Sequence, residues 1–278
     1  MDDVLGYQGK RVAVTGSASG MGEAAAQILV ELGAEVIGLD VKQTSVPVAK
    51  SIEVDLRDPH SIAAAVDAIG GPIDSLFSVA GLPGPPFSDL DTMLVNFVGC
   101  KLLIESIVPT MPKGAAIACV ASTAGLGWQE SIADLMPLVS APDFDSGKAW
   151  CEANPKKLAA SGGYVLSKKA LNIWVAWRAA TLLPEGTRLN CTNPGPTDTG
   201  MMPAFEAAAG ADTINQFVGP SGRRSTSVEQ GWPLVFLNSP RSSYIAGEAL
   251  HTDNGFTGAM VTGQVNVMRP DESSRRDR

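Results

Sequence analysis

Tyr164 and Lys168 stand four residues apart in Tyr164-Val165-Leu166-Ser167-Lys168, a spacing that puts a phenol and an ammonium on one face of a helix. A nearby positive charge favours tyrosinate and draws the phenol down from about 10 towards neutral pH. That tuning suits a general acid/base that exchanges a proton with an alcohol or ketone oxygen. Such a pair can arise by chance, so its weight depends on its neighbours. Ser122 closes an apolar run and could hold a carbonyl oxygen beside Tyr164; Thr123 competes for the role, and a structural turn serine is the plainer alternative. Asn96 interrupts the apolar stretch Leu94, Val95, Phe97 and Val98 with a poor helix former. It is either a hydrogen-bonded core amide or part of the same site.

A second group of residues suits phosphate binding. Thr15-Gly16-Ser17-Ala18-Ser19-Gly20-Met21-Gly22 joins a β-branched run to a helical pattern. Gly16 permits a tight turn, Gly20 lets backbone approach a pyrophosphate, and Gly22 lets the helix pack closely on the sheet. Ser19, Gly20 and Met21 bring the chain to the helix N-terminus, whose unpaired N–H groups and positive dipole end attract phosphate. Asp40 ends the second apolar run, 18 residues beyond Gly22. There a carboxylate can accept from both ribose hydroxyls of NAD and repels the 2′-phosphate of NADP. A solvated turn aspartate is the alternative. Lys42 softens the repulsion, but Ser17, Ala18 and Ser19 supply no base to grip a phosphate, so NAD is favoured over NADP.

These residues need a scaffold that gathers them from distant points. Arg11–Thr15, Glu35–Asp40, Ile52–Asp55, Asp74–Ala80, Ala115–Ala121, Arg188–Thr192 and Ala249–Thr252 read as strands. Helical patterns separate them, at Ala24–Leu32, Ser61–Ile69, Met93–Val108, Tyr164–Leu183 and Ser227–Leu237. Strands alternating with helices predict an α/β fold: a doubly wound Rossmann arrangement with a parallel sheet of about seven strands. The regularity breaks over 126–163, which reads as an insertion containing Pro137 and Pro142. An apolar Met- and Gly-rich segment over 195–224 reads as a lid. With neither repeat nor linker, residues 1–270 are expected to form one domain, with 271–278 a disordered tail.

Composition narrows the classes further. Hydrophobic residues at 45% and charged residues at 18% allow a sizeable core. A net charge of -8 argues against nucleic acid, which needs clustered bases to displace counterions. Two histidines, His60 and His251, make a His-rich metal site improbable. Four scattered cysteines, Cys100, Cys119, Cys151 and Cys191, read as free thiols of a reducing cytoplasm. No apolar run reaches the roughly 18 residues that suggest a membrane span.

Taken in chain order, Thr15 to Gly22, Asp40, Asp55-Leu56, Ala80-Gly81, Asn96, Ser122, Tyr164 with Lys168, and Pro194-Gly195 resemble the short-chain dehydrogenase/reductase family. The resemblance spans nearly the whole chain. It implies that Asp55 and Leu56 flank the adenine, that Ala80 and Gly81 pass close to the adenosine ribose, and that Lys168 also binds the nicotinamide ribose. It further implies that Asn96 holds a water in a proton relay, and that the Thr197 backbone and Thr199 hydroxyl fix the carboxamide. Two departures stand out. Ser78-Val79 replaces a usual pair of amides, and Ser122 and Tyr164 lie 42 positions apart, far more than is usual in the family. The insertion, with Gly219 to Arg224 and the Ala259-Met260 end, resembles the subgroup around bacterial 3α-hydroxysteroid dehydrogenase/carbonyl reductase.

Met201, Met202 and Phe205 follow the Pro-Gly turn in an apolar stretch suited to covering a hydrophobic substrate, unless they form an ordinary core helix. Trp128 could extend that wall, with Trp150, although tryptophans more often serve the core. No Arg or Lys lies between Thr199 and Pro220, which favours an apolar secondary alcohol or ketone (alicyclic, terpenoid or steroid). A homodimer or homotetramer with the insertion near an interface is expected, as is a cytoplasmic location. The competing reading is a catalytically silent NAD-binding sensor or scaffold. A sugar-nucleotide epimerase is disfavoured because only 54 residues follow Arg224.

Overall fold

The computed structural model describes residues 3–265, so the tail expected over 271–278 lies outside the described residues. Arg11–Thr15 (β1) is buried from Val12 onwards, as a central parallel strand must be. Gly20–Glu31 (α1) follows and turns Gly22, Ala25, Ala26, Ile28 and Leu29 inward. Gly33, at φ +80°, lets the chain leave the helix for Glu35–Asp40 (β2). Lys50–Glu53 (β3) comes next. Pro59–Ile69 (α2) then starts on an Asp58 cap that accepts from His60 N at 2.9 Å.

Ser75–Ser78 (β4) leads into a long helical run. It begins as Asp89–Met93 (α3), loosens into a π turn over Leu94–Gly99 and continues as Cys100–Ile107 (α4). Gly99 is required there, because a Cβ would stand 1.9 Å from the Leu56 carbonyl oxygen. The run Asp89–Thr110, 22 residues long, is long and apolar enough to cross a membrane, although polar residues interrupt it. Its most apolar window is nevertheless 72% buried inside the protein, as befits a core helix.

After Ala116–Val120 (β5) the insertion folds as three short helices, Ile132–Val139 (α5), Phe144–Ala153 (α6) and Pro155–Ser161 (α7). They bury Leu135, Leu138, Val139, Phe144, Cys151 and Leu158 against the long helical run and against Gly163–Leu182 (α8). Lys101 of α4 fastens them by donating to the carbonyl of Val139 at 2.9 Å and to that of Ala141. The excursion starts and finishes beside α8: Gly125 packs against the Lys168 backbone, and Gly163 is the first residue of the helix.

Arg188–Pro194 (β6) is buried throughout. The lid then proves partly ordered. Thr197–Asp198 (β7) pairs in parallel with Ser225–Thr226 (β8), and Met202–Ala209 (α9) and Ala211–Asn215 (α10) lie between them. Ser227–Asn238 (α11), Ala249–Thr252 (β9) and Phe256–Val261 (α12) complete the described chain.

All seven main strands are parallel, in the order β3-β2-β1-β4-β5-β6-β9. One apolar cluster lies under α2, the long helical run, the insertion and α8; the other lies under α1 and α11. This is the predicted doubly wound architecture. Its order reverses between β1 and β4, where a crevice opens at the carboxyl ends of the strands. All four cysteines are free and buried.

Candidate active site

The crevice at the β1–β4 switch is made by missing side chains. Gly16 has φ +73°, and a Cβ there would stand 2.9 Å from the backbone N and Cα of Ala80. A Cβ on Gly22 would meet the Gly16 carbonyl oxygen at 2.2 Å, so α1 approaches the sheet only because this residue is glycine. Thr15, which carried no separate role in the sequence, ties the two strand ends together: its hydroxyl accepts from Val79 N at 3.0 Å and Ala80 N at 3.1 Å. Gly20, at φ +61°, faces Thr199 in the turn beyond β6, where a Cβ would stand 3.6 Å from the threonine side chain. Ser19, at the start of α1, makes no side-chain bond to the first helical turn, and Met21 is half-buried.

Asp40 lies at the end of β2, and its two carboxylate oxygens accept from Ala18 N and Lys42 N, each at 3.0 Å. The carboxylate therefore borders the glycine loop, as its spacing predicts. Asp55 is different. Arg57 holds its carboxylate at 2.7 Å and keeps its pKa below the usual aspartate value, an engagement that sequence spacing did not reveal. Leu56 is buried, with its carbonyl against Gly99. Gly81 joins this end of the site to the other, since a Cβ there would stand 3.2 Å from Asn96 Oδ1 and 3.8 Å from Lys168 Nζ. Glycines where a Cβ would block the crevice, a helix N-terminus and a bordering carboxylate together fit a dinucleotide.

Tyr164 is the second residue of α8, and Lys168 follows one turn later. Lys168 is 4% exposed and donates from Nζ to the Val120 carbonyl at 2.7 Å. Burial pulls its pKa down to about 8, opposed by the three thiols of Cys100, Cys119 and Cys191. Its Nζ lies 5.6 Å from the centre of the Tyr164 ring. The expected lowering of the tyrosine by this lysine is not found. Burial raises the phenol above its ordinary value, and the Ser122 hydroxyl is the group that pulls it back. The physical reason is geometric: the ammonium donates to Val120 and lies over the ring rather than beside the phenol oxygen, while desolvation acts on the whole phenol.

Ser122 and Thr123 differ in their partners. Thr123 is buried and donates to the Pro194 carbonyl at 3.2 Å, whereas the Ser122 hydroxyl lies beside Tyr164 and draws its phenol down. Ser122 also accepts from Ala124 N at 3.1 Å and donates its own backbone N–H to Asn193 Oδ1 at 3.1 Å. Asn193 was missed because one buried amide in a strand gives no sequence signal. Asn96, 2% exposed, holds the loop after β4: its Oδ1 accepts from Leu82 N at 2.7 Å. Its Nδ2 donates to Leu82 O at 3.0 Å and to Ser167 Oγ at 3.3 Å. Both amide hydrogens are thus spent on clamping.

Pro194 ends β6, and Gly195 packs against Asp253, where a Cβ would stand 3.2 Å from Cα. Thr197 donates to the Gly195 carbonyl at 2.9 Å, and Thr199 accepts from Met201 N at 3.3 Å. Of the four residues expected to line a substrate, Phe205 touches Tyr164 directly, edge to face with centroids 4.9 Å apart. Met201 is half-buried, Met202 is buried, and Trp128, like Trp150, packs on the core cluster. Arg224 closes the lid by donating to Glu206 at 2.6 Å and Asn215 at 3.0 Å, with Asp198 at 3.5 Å. A recess of about 490 Å³ beside it is lined by Asp198, Asn215, Val218, Gly222 and Arg224; so polar a lining is not the apolar seat expected for the substrate. No group of three His, Cys, Asp or Glu side chains among the described residues is placed to hold a metal.

Two family models match the chain: short chain dehydrogenase over residues 10–133, and enoyl-(acyl carrier protein) reductase over residues 154–257. The chain is 29% identical to a coniferyl-alcohol dehydrogenase of a Pseudomonas species, over 91% of this chain and 98% of that protein. It is also 29% identical to the 3-alpha-hydroxysteroid dehydrogenase/carbonyl reductase of Comamonas testosteroni, over 90% and 97%. The crystal structure of the 3-alpha-hydroxysteroid dehydrogenase from Pseudomonas sp. B-0831 complexed with NADH superposes with a TM-score of 0.76 at 28% identity. That superposition covers 92% of this chain and all of the other.

Proposed function

The chain belongs to the short-chain dehydrogenase/reductase family, and on that premise we propose that it interconverts an apolar secondary alcohol and its ketone, using NAD. The substrate would be an alicyclic, terpenoid or steroid alcohol. The observation that carries this reading is the setting of Tyr164, with the Ser122 hydroxyl beside its phenol and the Phe205 ring against its edge. A proton-transfer group and an oxygen-fixing hydroxyl meet under an apolar lid. The relatives are named for an alcohol and for a hydroxysteroid, which supports an exchange between alcohol and ketone.

Gly16, Gly20, Gly22, Ala80 and Gly81 would hold the dinucleotide, and Asp40 would accept from its ribose hydroxyls and repel a 2′-phosphate. Held there, the nicotinamide supplies the hydride acceptor for oxidation and the donor for reduction. Tyr164 takes the alcohol proton at its phenol oxygen in oxidation and returns it to the ketone oxygen in reduction. Ser122 fixes that same oxygen by a hydrogen bond. Lys168, with one N–H given to Val120, has two left for the nicotinamide ribose. Pro194, Gly195, Thr197 and Thr199 would set the nicotinamide face. The apolar lid excludes water from the transfer.

Tyr164→Phe separates this reading from a silent sensor. NADH binding, followed by fluorescence, should persist, while oxidation across a panel of cyclic, terpenoid and steroid alcohols falls by about 100-fold or more. Oxidation unchanged in the variant would remove Tyr164 from the chemistry, and turnover of charged substrates alone would remove the apolar assignment.

A further inference from the structure

Tyr164 sits in the first turn of α8, where a helix has backbone N–H groups without intrahelical partners. The usual remedy is a side chain just ahead of the helix. Here that position is Gly162, at φ +75°, which has no side chain to offer, and the first helical residue is Gly163. The missing partner comes from far away in the chain. Asp89 Oδ1 accepts from Gly163 N at 2.6 Å, across 74 residues. Gly163 is buried, and a Cβ on it would stand 2.5 Å from the Asp89 carbonyl oxygen and 2.7 Å from its Cα. The two backbones therefore touch, and the glycine is what lets them.

Asp89 is itself firmly placed. It opens α3, whose cap Ser88 accepts from Asp91 N at 3.0 Å, and Thr92 donates back to Ser88 O at 2.8 Å. Seven residues on, the same helical run carries Asn96, which donates to Ser167 Oγ, and Ser167 in turn donates to the Tyr164 carbonyl at 2.7 Å. Tyr164 is thus bracketed on both sides, by Asp89 through Gly163 and by Asn96 through Ser167.

Resting on the assignment of Tyr164 as acid/base, we propose that Asp89 is a positioning residue that caps the helix bearing Tyr164 from another element and sets where the phenol stands. The insertion makes such a device necessary, because the chain arrives at α8 from a separate helical excursion and not straight from the strand that carries Ser122. A displacement near 1 Å at a reacting group costs on the order of 100-fold in rate. A cap fastened to the Asn96 helix keeps the acid/base and its supports in one frame.

The test uses the full chain with Asp89→Ala and the near-isosteric Asp89→Asn, whose amide oxygen can still accept. In Asp89→Ala, kcat for alcohol oxidation should fall about 10- to 100-fold while the Kd for NADH stays within about 2-fold. Hydrogen exchange at Gly163 to Ser167 should quicken. Asp89→Asn should restore most of both. An Ala variant with kcat within about 2-fold of the parent, unchanged exchange, or an Asn variant as impaired as Ala would each overturn the proposal. Tyr164→Phe is run alongside. Should Tyr164→Phe leave oxidation unchanged, the acid/base reading fails by itself, and the exchange measurement still decides the Asp89 contact.

Discussion

Gly22→Ala adds a single methyl group at the closest approach of α1 to the sheet. Its carbon would sit 2.2 Å from Gly16 O, 2.6 Å from Gly16 C and 3.0 Å from Thr15 O. All three neighbours are backbone, so no side chain can swing aside, and α1 must retreat by about 1 Å to reach normal contact. The inward face of α1 carries Ala25, Ala26, Ile28 and Leu29, all at most 4% exposed. Overpacking of this kind costs about 1–3 kcal/mol, and each kcal/mol lowers the Tm of a domain this large by about 2–4 °C. The N-terminus of α1 retreats with it. Losing one hydrogen bond to a charged phosphate costs about 1.5–3 kcal/mol, equivalent to roughly a 10- to 100-fold weaker Kd for NADH. Gly258→Ala is the control: its site has nothing within 4 Å, so Tm should hold or rise slightly. Differential scanning fluorimetry and NADH titration read the two effects separately. If Gly22→Ala melted with the parent and bound NADH equally well, the close approach would be wrong; a lower Tm with intact binding would move the cofactor elsewhere.

Three further outcomes concern pH and the lid. Oxidation needs Tyr164 deprotonated and burial holds its proton, so initial oxidation rates should climb from pH 7 to 10 while ketone reduction declines; profiles moving in the same direction would contradict this. Lys168 has its pKa lowered from 10.5 to about 8, so the unfolded chain binds more protons between those values and this group's contribution to stability rises with pH across that window. Lys168→Met should therefore be more stabilising near pH 8 than above pH 10.5, by about 3 kcal/mol, as urea denaturation at both pH values would show. Phe205→Ala removes the ring against Tyr164, and KM for bulky apolar alcohols should rise about 10- to 100-fold with kcat less affected. An unchanged KM would take Phe205 out of substrate contact.

Much of the scaffold could be read from residue order, because a buried parallel sheet leaves apolar runs and its crossovers leave helical periods. Gly16, Gly20, Gly22 and Asp40 stand where their spacing put them, since each answers to local backbone geometry. Contacts between distant segments left no such trace. Asn193 under Ser122, Arg224 across the lid and Asp89 on Gly163 are each a polar residue of ordinary type. Their roles exist only once the sheet has aligned the strand ends. Even the direction of the Tyr164 shift was out of reach, because proximity to Lys168 is a matter of sequence and desolvation is not. The π turn around Asn96 was hidden for a related reason: an extra residue per turn changes no composition.

The three-helix insertion leaves the domain and returns to it at one helix, Gly125 beside Lys168 and Gly163 capped by Asp89. An excursion whose ends meet costs the fold little as it lengthens, since closure entropy grows only logarithmically. Sheet register and glycine crevice are indifferent to its size. Lineages could therefore lengthen, trim or exchange this segment by recombination while inheriting the reaction unchanged. The junctions they would have to conserve are Gly125 against Lys168 and Gly163 against Asp89.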